Sequence, residues 1–159
     1  MRAALLLVTL LCVSVMPATA QRSGAAATTA VSPLQGVWQV VGAAGGPQVN
    51  GLFIFTRTHY SMMMAAADRP DLVDMNAASA DQLRAVFDPV AANSGTYDVA
   101  GDLVTIHPVA AKFPVVMKPG ATEVYAFRIE GNALSFTQRR NARGVEVQNA
   151  MPRRLVRVE

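Results

Sequence analysis

After Pro33, apolar and polar residues alternate with a period of two along most of the chain, the pattern of strands with one covered face. The first run is Leu34 to Gly42, with Trp38 and Val40 on one face and Val37, Gln39 and Val41 on the other. The stretch 43–47 is glycine- and proline-bearing turn chemistry. Gly51 to Phe55 is a second strand, Thr56 to Thr58 a tight connection, and His59 to Ala65 a third strand. On the third, Tyr60, Met62 and Met64 share one face, and His59, Ser61 and Met63 the other. The second half repeats this in hairpins: Gly95–Val99, Leu103–His107 closed by Pro108, Glu123–Ile129, Ala133–Thr137 and Arg154–Val158. The segment from Ala110 to Gly120, with Pro114 and Pro119 near its ends, reads as irregular.

One interval departs from this period. Between the loop 66–78 and Pro89, Leu83, Val86 and Phe87 recur at helical spacing. Ser79 is a good N-cap, and Gln82 three residues on completes a capping box. Pro89 ends or kinks the helix. About eight short, sequentially joined strands with one inserted helix predict a sandwich or barrel. Eight strands is about the size at which a barrel interior can hold one small ligand.

The first 33 residues do not share the pattern. Arg2 supplies a positive start, Ala3 to Val15 is uncharged and apolar, Pro17 breaks the run, and Ala18-Thr19-Ala20 is a small-residue cleavage site. This is the form of a secretory signal peptide over 1–20. The run is too short and too early ended for a membrane span, which needs roughly 20 apolar residues, so none is expected after cleavage. Residues 21–33, rich in Ala, Thr, Ser and Gly, read as a disordered linker. That leaves one domain over 34–159. The single cysteine, Cys12, lies inside the apolar run, preceded by Leu11 rather than the small residue of a lipoprotein signal. The mature chain therefore has neither disulfide nor thiolate chemistry. Ala and Arg are abundant and Lys scarce, a bias associated with GC-rich bacteria, so the expected compartment is the periplasm or the medium. The formal net charge is +3, and the basic residues are scattered apart from Arg139-Arg140 and Arg153-Arg154. No aromatic-interleaved basic patch points to nucleic acid.

Gly36-Val37-Trp38 opens the first strand and holds the only tryptophan. With Gly51 to Phe55, Tyr60-Ser61-Met62, Ser94 to Val99, Val104 to His107 and the closing Leu155-Val156-Arg157, it resembles the lipocalin-like domain proteins of the calycin group. The resemblance runs from about Leu34 to Glu159. It implies an all-β, roughly eight-stranded antiparallel barrel binding a small apolar or amphipathic molecule. It also implies that Arg157 packs over Trp38, with Gly36 beside them, to close one end. Two features depart from the family pattern. Phe113-Pro114-Val115 stands where relatives often have a tryptophan, and no arginine lies near Val124.

Tyr60, Met62, Met64, Tyr125 and Phe127 are the expected cavity-lining residues, since ligand cavities are mostly apolar with a few placed polar groups. His107, at a position where the family often has histidine, is the candidate polar group of the cavity and the candidate acid/base of an alternative, non-covalent isomerase or cyclase. His59 and Met63, which share a strand face, together with His107 have soft-metal donor chemistry, but the methionine run is more simply apolar filling, and no metal or cofactor is assigned. No Gly-x-Ser-x-Gly elbow or glycine-rich phosphate loop is present, so no catalytic residue is assigned. A filled barrel acting as an envelope interaction module is the remaining alternative.

Overall fold

The structure is a computed structural model that describes residues 31–42 and 48–159. The expected signal peptide, most of the expected linker and the turn 43–47 lie outside the described residues.

Eight strands form a closed antiparallel barrel in simple sequential order. They are β1 (Gly36–Val41), β2 (Val49–Phe55), β3 (His59–Ala66), β4 (Val90–Ala100), β5 (Leu103–Ala111), β6 (Glu123–Glu130), β7 (Ala133–Arg140) and β8 (Arg153–Arg157). Closure comes from β8 pairing with β1, with Trp38 opposite Arg157 and Val40 opposite Leu155. Every edge is thereby paired, which removes the aggregation hazard of an open sheet. Among the described residues, no helix is long and apolar enough to cross a membrane.

The period-two pattern decides which side chains go inside. Trp38, Val40, Phe53, Phe55, Tyr60, Met62, Tyr97, Val104, Ile106, Leu134, Phe136 and Leu155 form one buried cluster, joined by Leu34 from the entering chain. The core is aromatic at its centre. Phe55 meets Tyr97 edge-on at 5.3 Å, Phe53 meets Phe136 edge-on at 5.8 Å, and Tyr125 stacks on Phe136 at 4.5 Å. Such pairs contribute about 0.5–1.5 kcal/mol each beyond their area.

Several strands run past their expected ends, β4 and β5 furthest. β4 starts at Val90 rather than Gly95, because Val90 to Ser94 pair with Ser61 to Ala65 of β3 despite their weak β-propensity. β5 runs through Pro108 to Ala111. Proline is tolerated there because the β4–β5 register shifts between Ser94 and Gly95, and Pro108 stands opposite Gly95 at that irregularity. A Cβ on Gly95 would lie 2.0 Å from the His107 carbonyl oxygen, so only glycine permits this approach.

The helix α1 (Ala80–Phe87) forms as the capping box dictates. The Ser79 backbone N–H donates to Gln82 Oε1 at 2.8 Å, and the Gln82 N–H donates to Ser79 Oγ at 3.3 Å. Its apolar stripe is only partly covered, however: none of its residues is buried. The helix lies on the rim of the barrel, where Lys112 Nζ donates to the carbonyls of Phe87 and, at 3.1 Å, Asp88. A cation on those terminal carbonyls is also favoured by the helix dipole. In the segment expected to be irregular, Pro114–Met117 form one 3-10 turn.

Candidate functional site

The barrel's two ends differ because its connections differ. At one end, β2–β3, β4–β5 and β6–β7 are joined by tight turns. That end is sealed. Trp38 is fully buried, its indole Nε1 donates to the Leu34 carbonyl at 2.7 Å, and the Arg157 guanidinium lies 4.1 Å from the ring centroid. Arg157 also donates to the carbonyls of Gln35 at 2.6 Å and Pro33 at 3.2 Å, tying the entering chain across the opening. Gly36 has a φ of +134°, and a Cβ there would lie 2.5 Å from both Arg157 Nη1 and the Glu159 carbonyl. The three residues expected to close the barrel thus stand together. Tyr97 adds a further tie, its hydroxyl donating to the Thr56 carbonyl at 2.7 Å.

The opposite end carries the long connections and holds a cavity of about 460 Å³. Its apolar wall comes from Phe53, Met62, Tyr125 and Phe136 in the barrel and from Phe113, Val116 and Met151 in the loops. Its polar wall is Asn93, Glu123, Gln138 and Arg153. The volume falls within the roughly 300–1,000 Å³ of small-molecule pockets.

Glu123 is the only buried charged residue among those described, at 7 % exposure. Strand parity puts it there. In β6 it shares the inward face of Tyr125, opposite Ile106, while Tyr125 stands opposite Val104 and Gln138. The Gln138 amide donates to Glu123 Oε1 at 2.8 Å, and the Tyr125 hydroxyl donates to Oε2 at 3.2 Å. Burial pushes the Glu123 carboxyl above its ordinary value, and the two hydrogen bonds pull only partly the other way. Burial likewise raises the phenols of Tyr60 and Tyr125, with the Glu123 charge adding to both. Arg153 sits at the mouth, its guanidinium against the Met64 thioether, and desolvation lowers its pKa.

The residues expected to line the cavity do not all reach it. Met62, Met64 and Tyr125 line it. Tyr60 faces inward but lies in the closed core, its hydroxyl buried without a hydrogen-bond partner among the described residues. Phe127 also points inward, packed against that core rather than on the cavity wall. His107 stands apart from all of these. It lies on the outer face of β5, because its neighbour Ile106 is fully buried and successive strand residues point to opposite sides. Its Nε2 lies 2.9 Å from Asp98 Oδ2, in a pair that is open to solvent. It is not among the residues that line the cavity. His59 and Met63 are on the outer face too, consistent with their parity.

Glu123, Gln138, Arg153, Asn93 and Phe113 are absent from the sequence expectation. The signal for Glu123 is present in the alternation, since it has the parity of Tyr125 and Phe127. Arg153 has the parity of Leu155 and Arg157, which both turn inward.

Comparison with curated proteins returns no match. A family model described as a lipocalin-like domain matches residues 35–156, from the entry to β1 to the penultimate residue of β8. The sealed tryptophan–arginine end, the eight-stranded closure and this match agree, and the chain belongs to the lipocalin-like domain family.

Proposed function

We propose that this protein is an exported barrel that binds a small amphipathic molecule at its open end. The apolar body of the ligand lies against Phe53, Met62 and Phe136. Its polar group meets Glu123 and Gln138 on the wall or Arg153 at the mouth. The observation that carries this reading is the cavity itself, in which an apolar wall of Phe53, Met62, Phe113 and Phe136 faces the converging polar groups of Asn93, Glu123, Gln138 and Arg153. One end of the barrel is packed and the other holds the cavity, which disfavours the reading as a wholly plugged interaction module.

The test uses Ala91, a cavity-lining residue on β4 that stands opposite Met64. Ala91→Phe places a ring in the void without touching the closed end. With 1-anilinonaphthalene-8-sulfonate, whose naphthalene suits the apolar wall and whose sulfonate suits Arg153, wild-type protein is expected to bind with saturable fluorescence enhancement. Ala91→Phe is expected to weaken that binding at least tenfold, about 1.4 kcal/mol, with its melting temperature little changed. Equal binding by both would place the probe elsewhere and defeat the cavity reading.

Export rests on Arg2, the apolar run Ala3 to Val15 and the Ala18-Thr19-Ala20 site. Amino-terminal sequencing of the protein recovered from its host is expected to begin at Gln21. A product beginning at Met1 would contradict export by this route.

A further inference from the structure

We propose that the cavity is a proton-transfer site in which Glu123 removes a proton from carbon in a bound enolisable ketone and Arg153 faces the oxyanion that forms. This rests on the small-molecule reading above and goes beyond it to an activity.

Three observations converge. First, Glu123 is a buried carboxyl whose only side-chain partners among the described residues are two neutral donors, the Tyr125 hydroxyl and the Gln138 amide. A buried carboxylate without a cation is a standing cost to the fold, and a glutamine would fill the same space without it. Second, those two donors orient the carboxyl while leaving lone pairs available, since a carboxylate offers about four acceptor positions. Third, Arg153 lines the same cavity with a thioether as its only side-chain partner among the described residues, so its planar donors are available to an anion. A base desolvated in an apolar pocket and a cation poised for developing negative charge are the two requirements of carbon-acid deprotonation.

The step is balanced without a cofactor. The Glu123 carboxylate takes a proton from the carbon next to the carbonyl. The C–H pair becomes the new C=C bond, and the carbonyl π pair moves to oxygen, which faces the Arg153 guanidinium. In heavy water the carboxyl proton swaps with a solvent deuteron, and delivery of that deuteron to the same carbon gives exchange. Return of the proton to the far carbon of a β,γ-unsaturated ketone gives the conjugated isomer. The substrate class is therefore a small ketone with an apolar body, and the reaction class is isomerisation.

The probe is 2-tetralone, a bicyclic ketone with an acidic benzylic C–H. In heavy water, one NMR sample reads binding by saturation transfer and turnover by loss of the benzylic proton signal. Wild-type protein is expected to show both. Glu123→Gln is expected to keep saturation transfer and lose at least about 100-fold of the protein-dependent exchange, the lower range for a general base. Ala91→Phe, which leaves Glu123 in place, is expected to lose both. The exchange rate is expected to rise with pH through a midpoint above the ordinary carboxylate range, because the ionised form is the base and burial raises Glu123. The titratable groups facing it are Tyr60 from β3 and Tyr125 from β6, and the charged Arg153 of β8 lines the same cavity. Saturation transfer without exchange, or a folded Glu123→Gln variant that exchanges like wild type, overturns the inference and leaves the binding reading standing. Absence of saturation transfer also overturns the inference, and the binding reading is then decided by the naphthalene-sulfonate assay.

Discussion

Trp38→Ala is expected to destabilise the barrel by about 3–5 kcal/mol, the usual cost of truncating a buried large aromatic to alanine. For a domain of this size that corresponds to a fall in melting temperature on the order of 10–20 °C. Three losses combine. The indole is fully buried at the closed end, so a cavity replaces it. The Leu34 carbonyl loses its 2.7 Å donor. Arg157 loses the ring face over which its guanidinium lies at 4.1 Å, worth roughly 0.5–2 kcal/mol. Arg157→Ala is expected to cost less, because the core beneath it stays filled. Both variants are expected to bind 1-anilinonaphthalene-8-sulfonate as wild type does where they remain folded, since the cavity lies at the other end. Thermal melts and probe titration check both halves of this prediction. Melting temperatures equal to wild type in both variants would sink the closure account.

The second large effect is expected at Gly95. Gly95→Ala brings a Cβ to 2.0 Å from the His107 carbonyl oxygen and to 3.0 Å from the Pro108 Cα. Both obstacles are backbone, so no rotamer change relieves them. β4 and β5 must separate at the point where their register already shifts. The cost is expected at or above the roughly 3 kcal/mol upper end of ordinary overpacking. A urea denaturation curve reads it directly. The control is Gly101→Ala, at a turn with φ +63° but no atom within 4 Å of a Cβ. It pays only for the left-handed backbone, roughly 1–2 kcal/mol. If Gly95→Ala is no worse than Gly101→Ala, the close approach is not what Gly95 provides.

Much of the barrel is legible in the alternation of side chains. Trp38 and Val40, or Tyr60 and Met62, fall on one face whichever way that face points. The start of α1 is legible because Ser79 and Gln82 form a purely local device. Less legible are features decided by partners distant in sequence. Val90 to Ser94 carry little β-propensity and become strand only because β3 is alongside. The burial of α1 also depends on what it meets, and its stripe of Leu83, Val86 and Phe87 finds only a partial cover at the rim.

The candidate site shows the same division. The inward placement of Met62, Met64 and Tyr125 follows from apolar parity. The family position of His107 suggests the cavity, whereas on a strand the buried neighbour Ile106 argues for the opposite face. Glu123 is missed for the converse reason. A carboxylate is ordinarily assigned to water, and here parity with Tyr125 overrides that preference. Its burial needs Gln138, fifteen residues away on β7, and no local pattern announces that partner.

The proposed occupancy of the open end by a small molecule is the reading on which the rest depends. It is tested most directly by native mass spectrometry of wild-type and Ala91→Phe protein purified in parallel from the natural host, followed by denaturing extraction. The account predicts a co-purifying mass on the wild-type barrel, released on denaturation and absent from Ala91→Phe. A mass retained equally by both would contradict the claim, because the bound molecule would then lie outside the cavity that Phe53, Met62, Phe136 and Glu123 enclose.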